Sequence, residues 1–285
     1  MRVSIIARPS FLRQVKSGSD DMFRMRLSSV IRGEQIAEHW PAAYNPPKDH
    51  EDDLRLFVKP RPQWLVDHRI IRDCDWVDFA DGEELEPFLQ MRPNVRVVAA
   101  ALFGYKRLQK ILDNQVVLIP QQHVNWEGAI RERSGLRTCG VIGRWTGRAQ
   151  RACDELASEL KPLGIEVLTC FNFTDRQCAV NFYRNIDVLT VPPIRSENIH
   201  FNYRTPTKMI NAASFGVPSV AIWQDGYEEF DGNYFPVTSM DEMIRRIADL
   251  RDRTTYNTLA VRAFKTAQQY HISEIIKKYR QLEEL

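Results

Sequence analysis

The chain has 285 residues, a length that suits two α/β domains better than one compact core. Because 44% of its residues are hydrophobic and 27% are charged, a disordered or fibrous protein is excluded. A formal net charge of +2 argues against a protein that binds polyanions over its whole surface.

Apolar content and cysteine spacing predict a cytoplasmic protein. The N-terminal run MRVSIIARPSFLR is too short for a signal peptide, because Pro9 interrupts it. No later window approaches the ~20 apolar residues that a membrane span needs. The five cysteines are odd in number and lack C-x-x-C spacing, which indicates buried thiols rather than disulfides or a zinc site.

The first half alternates predicted strands with predicted helices. The predicted strands are Val3–Ala7, Leu54–Val58, Arg69–Cys74, Val95–Ala100 and Val116–Ile119. The predicted helices are Met22–Glu38, Glu83–Gln90 and Tyr105–Leu112. This alternation is typical of βαβ units around a parallel sheet.

The second half repeats the scheme. The predicted strands are CGVIGRW, IEVLTC and IDVLTVPP, and the predicted helices between them are RAQRACDELASEL and RQCAVNFYRN. A last strand and helix follow, and Ser239 before Asp241 and Glu242 marks the start of that helix.

Between these halves the polar segment PQQHVNWEGAIRERSGLR lacks periodicity, which places a domain junction near Gln121 to Gly135. We predict an α/β fold with two Rossmann-like domains, residues 1–122 and 123–271, that face each other across a cleft. The C-terminal helix, residues 272–285, is expected to pack back on the first domain. Parallel sheets bind ligands at the carboxyl ends of their strands.

The stretch RTPTKMINAASFGVPSVAIW, residues 204–223, is typical of an anion site. Pro206 suits the first turn of a helix, and Lys208 and Asn211 lie three residues apart on one helix face. Unpaired amides and the helix dipole favour negative charge there. The alternative is an ordinary α/β crossover whose lysine is solvated.

Several enzyme classes are excluded by the absence of their motifs. The sequence has no G-x-G-x-x-G after the first strand, no G-x-x-x-x-G-K-[ST], no G-x-S-x-G and no H-E-x-x-H. A dinucleotide-dependent dehydrogenase, a P-loop nucleotidase, an α/β-hydrolase and a zincin are therefore disfavoured.

The second half contains five segments in a characteristic order: VVLIPQQHV, GVIGRW, FYRNIDVLTVPP, RTPTKMINAASFGVPSVA and S-x-D-E-M. With these segments it resembles the donor-binding domain of GT-B fold glycosyltransferases. The nearest group is the retaining family-4-like one (glycosyl transferases group 1). The resemblance implies a nucleotide-sugar donor, such as a UDP- or GDP-sugar, in the second domain. It also implies an acceptor in the first domain, no metal and no further cofactor.

A departing nucleoside diphosphate gains negative charge, so its site needs fixed cations and amides. We predict that it contacts Gly143, Arg144, Thr207 and Lys208, with Arg204 and Arg148 as further candidates. In the resembling enzymes a glutamate that bonds the donor ribose stands where Asn211 stands here, and the usual glutamate pair eight residues apart is absent. Asn211 can still bond a hydroxyl group, but without charge.

The candidate catalytic carboxylates lie in RIIRDCDWVDF, at the end of a predicted strand. Asp75 is the first candidate and Asp78 is the second. In an inverting reaction this carboxylate would take the proton from the acceptor's hydroxyl group, and in a retaining reaction it would orient groups or stabilise charge. Alternatively, Asp75 caps the following turn. No metal site is predicted, since carboxylates on one loop are weak evidence for a metal. His123, in the junction, suits a hinge or the core.

The acceptor is expected to contact the polar loop Ser17, Gly18, Ser19 and Asp20. Basic residues follow the first strand and favour an anionic acceptor such as a nucleic acid, a phospholipid head group or a phosphosugar; they are Arg8, Arg13, Lys16, Arg24 and Arg26. A solvated helix face would have the same composition.

Three other functions fit the same residues. The chain could be a non-catalytic GT-B-like protein that binds a nucleotide or partner, a phage-type glucosyltransferase acting on a hydroxymethylated DNA base, or a sugar-nucleotide epimerase. The sequence leaves open the donor sugar, the stereochemical outcome and the oligomeric state.

Overall fold

The computed structural model describes residues 1–7, 30–47, 52–60, 71–80, 82–171, 173, 175–193 and 205–285. These residues form two compact units. The first unit comprises the described residues of Met1–Gln121, Thr205 and Ile272–Leu285, and the second comprises those of Gln122–Phe201 and Pro206–His271.

The first unit is built on a parallel sheet of six strands in the order β2-β1-β3-β4-β5-β6. The strands are β1 (Val3–Ala7), β2 (Ala42–Tyr44), β3 (Leu54–Val58), β4 (Trp76–Ala80), β5 (Arg96–Ala99) and β6 (Val116–Leu118). The helices are α1 (Gln35–His39), which directly follows a π-helical turn at Val30–Glu34, α2 (Glu86–Met91) and α3 (Leu102–Ile111). Apolar side chains of β3, β4, β5, α2 and α3 form one core.

The prediction of a strand at Arg69–Cys74 is wrong within the described residues, because the strand is Trp76–Ala80. Residues 71–75 form a turn, in which the Arg72 N–H donates to the Asp75 carboxylate (2.6 Å) and the Asp75 N–H donates to the Arg72 carbonyl (3.1 Å). All five residues of β4 are buried, including the charged Asp78. The sequence pattern did not predict this strand, because the charged Asp78 interrupts its apolar run.

The second unit has a parallel sheet of five strands in the order β11-β10-β9-β7-β8. The strands are β7 (Thr138–Ile142), β8 (Glu166–Cys170), β9 (Val188–Val191), β10 (Ser219–Ile222) and β11 (Phe235–Val237). The helices are α4 (Gly147–Leu160), α5 (Arg176–Asn185), α6 (Thr207–Ser214), α7 (Met240–Asp249) and α8 (Arg253–Ala267).

Helices cover both faces of the second sheet. Apolar residues of α5 and α6 pack in one core cluster, and those of α4 and α7 pack in the other. Helix α8 contributes Ala263 to the first cluster and Leu259 to the second. The predicted fold class, α/β with two Rossmann-like parallel sheets, is confirmed, and helix α8 and the short strand β2 are additions to it.

The last helix, α9 (Ile272–Arg280), belongs to the first unit. The Tyr279 ring lies 5.7 Å from the ring of Trp40 between centroids, and the Trp40 indole N–H donates to Glu283 (2.7 Å). The chain therefore returns to its first unit after completing the second. Among the helices of the described residues, none combines the length and apolar character that crossing a membrane requires.

Candidate functional site

The second sheet has a topological switch point between β7 and β9. The chain leaves β7 for β8 on one side and then returns to β9 on the other side of β7. In doubly wound sheets, ligands bind outside the carboxyl ends of the strands at such a point. Gly143 directly follows β7, and it marks the place where a ligand of this unit is expected.

Gly143 and Lys208 meet at this edge. A Cβ atom added to Gly143 would lie 3.0 Å from the Lys208 Nζ and 3.5 Å from its Cε. The missing side chain thus lets the ammonium group lie against the backbone at the end of β7. Lys208 is the second residue of α6 and is exposed.

The loop after β7 carries further groups that suit an anion. Arg144 and Arg148 are exposed, and the Trp145 side chain keeps 58% of its surface accessible. Thr146 caps α4, since its Oγ1 accepts from the Ala149 N–H (3.0 Å). A Cβ added to Gly147 would meet no atom within 4 Å, so there is open space beside the first residue of this helix.

Thr207 and Asn211 lie on α6 with different exposures. Thr207 is the first helical residue and is half-buried, whereas Asn211 is 7% exposed. The Asn211 Oδ1 accepts from the Val124 N–H (3.0 Å), and its side chain also bonds the buried Tyr183 hydroxyl. The structure thus gives Asn211 a role inside the second unit, and its contact with a donor stays a prediction.

Residues 123–127 form a junction segment whose sequence indicates only that it is polar. The Arg176 guanidinium lies 4.2 Å from the Trp126 ring centroid, donates to the Val124 carbonyl (2.6 Å) and forms an ion pair with Glu127. Arg176 starts α5, so these contacts fix the end of the loop that leaves β8. Arg176 lies 49 residues after Glu127 in the sequence, so these contacts give no local signal.

His123 is buried in the second unit, with 2% of its surface exposed. Its Nδ1 accepts from the Asn125 N–H (3.2 Å), and its ring lies 5.4 Å from that of His271 between centroids. Burial, helped by the neighbouring His271, lowers the pKa of His123 from 6.5 to about 4. His123 is therefore neutral at pH 7, which fits its predicted place in a hinge or core.

We expect His123 to make the second unit less stable in acid. Its pKa is 6.5 in the unfolded chain and about 4 in the folded chain, so between these values the unfolded state binds more protons and stability falls as pH falls. His123→Asn keeps an acceptor for the Asn125 N–H and removes this titration. From pH 6.5 to 5, the unfolding free energy of the wild type should fall by about 2 kcal/mol more than that of the variant.

Chemical denaturation at each pH measures this difference. If the unfolding free energy depends on pH equally in the wild type and in His123→Asn, the lowered pKa of His123 is refuted.

Asp75 lies before β4, at the amino end of that strand, and its side chain is 0% exposed. It forms ion pairs with Arg55 and Arg72. The carboxyl ends of the strands, where acceptor chemistry was expected, lie at the other edge of the sheet. Asp75 was expected at the end of a strand, and this expectation is wrong because Asp75 precedes β4. A catalytic role of Asp75 stays a prediction.

Asp78 lies within β4 and is also 0% exposed. Its Oδ2 accepts from the Arg32 Nε (2.7 Å) and the Tyr279 hydroxyl (3.2 Å), and its Oδ1 accepts from the Ala80 N–H (3.1 Å). Burial raises the pKa of Asp78 more than Arg32 and these hydrogen bonds lower it. Arg32 also donates to the Ile119 carbonyl (2.9 Å), so the Arg32–Asp78 pair connects four segments of the first unit: the turn before α1, β4, the residue after β6 and α9.

The remaining predicted site residues lie outside the described residues. These are Arg204, Ser17, Gly18, Ser19 and Asp20, together with the basic residues Arg8, Arg13, Lys16, Arg24 and Arg26. In the part of the chain that the structure describes, no group of three or more His, Cys, Asp or Glu side chains is arranged to hold a metal ion.

No protein-family model matches this sequence, and a search of curated proteins gives no match either. Solved structures do match. HepE of Anabaena in complex with UDP-glucose is 14% identical with a TM-score of 0.62, and all of both chains is covered. A glycosyltransferase from Rickettsia africae is 11% identical with a TM-score of 0.62, covering 99% of this chain and 97% of that one.

The pneumococcal O-GlcNAc transferase GtfA, in complex with UDP and GlcNAc, is 12% identical with a TM-score of 0.57. Its match covers 81% of this chain, which spans just over half (56%) of the length of GtfA. These similar structures share the GT-B fold, and the chain therefore has that fold. At such low identities the likeness concerns the fold alone.

Proposed function

We propose that the chain is a GT-B glycosyltransferase of the retaining type that transfers a sugar from a UDP- or GDP-sugar to an acceptor hydroxyl group. The observation that carries the proposal is the approach of Lys208 to Gly143 at the switch point of the second sheet. Similar structures that hold UDP-glucose, or UDP and a sugar, support it.

The positive charges of Lys208 and Arg144 at the carboxyl edge of the second sheet suit the departure of a nucleoside diphosphate. As the bond between sugar and diphosphate breaks, negative charge grows on the leaving nucleotide. Lys208 and Arg144 would stabilise that charge, and the first turn of α4 would donate backbone N–H groups to it. In the proposed reaction the first unit binds an anionic acceptor.

A thermal-shift titration with UDP, GDP and their glucose conjugates tests the donor class. A ligand at ~100 times its dissociation constant adds about 2.7 kcal/mol of stability. We expect one nucleotide series to stabilise the wild type and Lys208→Ala to show a smaller shift. If neither series stabilises the protein, the donor proposal is wrong; if a nucleotide binds but sugar is never transferred, the non-catalytic alternative is correct.

We further expect turnover to survive EDTA. The described residues offer no metal-binding cluster, and Lys208 and Arg144 supply the cations that a metal would otherwise provide. Turnover should stay within twofold of the untreated value, measured as release of the nucleotide. Loss of turnover that manganese or magnesium restores would contradict the metal-independent mechanism.

A further inference from the structure

A small cavity lies at the amino edge of the second sheet, away from the edge where Gly143 and Lys208 meet. Its volume is about 70 Å³. Three segments enclose it: residues 133–136 before β7, the turn between α7 and α8, and the first turns of α8. Ligands of doubly wound sheets bind at the carboxyl edge, so the fold itself assigns no ligand to this cavity.

The cavity is lined by three arginines, Arg133, Arg251 and Arg253, and by no acidic residue of the part of the chain that the structure describes. The Arg133 side chain is 4% exposed and lies 3.9 Å from the Asp187 carboxylate. Its guanidinium donates to four main-chain carbonyl groups, so this charge is fixed in place.

Arg251 and Arg253 differ from Arg133 because their charges are not compensated. Both are exposed, and neither guanidinium has an ion pair or a hydrogen bond with another described residue. Asp252, between them in sequence, directs its carboxylate to α8, where it accepts from the Thr255 N–H (2.8 Å) and hydroxyl (2.7 Å). Two such cations around one concave site favour an anion there.

The other lining residues limit the size and the chemistry of that anion. Ser134 and Asn257 add neutral hydrogen-bonding groups, and the Tyr256 hydroxyl is already used, since it donates to the Asp187 carbonyl (2.7 Å). Pockets for drug-sized molecules have volumes of about 300–1,000 Å³. A cavity of about 70 Å³ therefore suits one oxyanion group and not a whole nucleotide.

We propose that this cavity binds a phosphate group through Arg251 and Arg253, with Ser134 and Asn257 as neutral partners. The planar guanidinium group matches the geometry of phosphate oxygens and forms charge-assisted hydrogen bonds with them. The inference goes beyond the proposed function, because it needs no sugar donor and uses none of the residues proposed to bind one.

Calorimetric titration of the full chain with inorganic phosphate, with glucose 6-phosphate and with uncharged glucose tests the site. We expect phosphate to bind and glucose not to bind. Arg251→Gln and Arg253→Gln should each weaken phosphate binding about tenfold, since one charge-assisted contact is lost. The matched control Arg245→Gln, at an exposed arginine of α7 that does not line the cavity, should change it less than twofold.

Two further variants separate the cavity from general surface charge. Asn257→Trp fills the cavity without changing the charge and should weaken phosphate binding at least tenfold. Lys208→Ala should leave phosphate binding within twofold of the wild type, because Lys208 lies at the carboxyl edge of the sheet. If glucose 6-phosphate binds as tightly as phosphate, the cavity accepts the end of a larger phosphorylated molecule; if phosphate alone binds, it accepts the free ion.

The site would be overturned if neither phosphate compound bound to the wild type, or if the double variant Arg251→Gln with Arg253→Gln bound phosphate as the wild type does. Binding that Lys208→Ala loses and the double variant retains would place the anion at the carboxyl edge and would also overturn it. Failure of the donor proposal, seen as no response to UDP or GDP, leaves these titrations unaffected.

Discussion

Lys208→Ala is expected to lower turnover of the nucleotide-sugar donor about 100-fold, as the loss of a single oxyanion donor does. Lys208 lies against Gly143 at the end of β7, where the diphosphate is proposed to bind. Charge on the departing nucleotide is greatest in the transition state, so turnover should fall more than ground-state affinity for the donor. Arg144→Ala should behave in the same way, with folding intact in both variants.

Steady-state kinetics measures the loss of turnover, and direct titration of UDP measures the loss of ground-state affinity. Lys161→Ala is the matched control, because Lys161 is an exposed lysine of the same unit that precedes β8 and thus lies toward the opposite edge of the sheet. Turnover within a few-fold of wild type in both Lys208→Ala and Arg144→Ala would show that the diphosphate binds elsewhere.

Arg32→Met is expected to reduce the free energy of unfolding of the first unit by about 3–5 kcal/mol, the usual loss when one partner of a buried ion pair is removed. Arg32 is 1% exposed, and its Nε lies 2.7 Å from the Asp78 Oδ2. Methionine fills much of the same volume but leaves the carboxylate without its cation. The hydrogen bond to the Ile119 carbonyl is lost as well.

The loss of unfolding free energy in Arg32→Met should also depend on pH. A buried carboxyl group that has lost its cation retains its proton to a higher pH than the unfolded carboxyl group, whose pKa is about 3.9. The unfolded state therefore releases its proton first as pH rises, and the deficit grows from pH 4 toward pH 7. Urea denaturation at both pH values, followed through the transition of the first unit, measures it.

Two comparisons make this test specific. Arg246→Met removes an exposed pair with Asp249 (3.4 Å) and should change stability by less than about 1 kcal/mol. The double variant Arg32→Met with Asp78→Leu should recover most of the loss, since apolar residues often replace a buried pair without cost. A loss below about 1 kcal/mol in Arg32→Met would mean that Asp78 is already protonated in the wild type.

Local patterns were sufficient for most of the fold. The predicted bounds of Val3–Ala7, Leu54–Val58 and Arg176–Asn185 agree with the observed elements, because apolar periodicity and flanking turn residues are properties of a short stretch of chain. Helix α8 was missed since alanines supply much of its buried face. Strand β4 was misplaced because Asp78 breaks the apolar pattern that predicts a strand.

By itself, the sequence determined two parallel α/β units and the glycine, arginine and lysine residues at their strand-to-helix junctions. Only the tertiary structure decided which of these residues meet. It brings Lys208 to Gly143, engages Asn211 with Val124 and Tyr183, and buries Asp78 between Arg32 and Tyr279. The reason is physical: secondary structure depends on neighbours in sequence, whereas the pairing of buried charges depends on residues that come together only when the chain has folded.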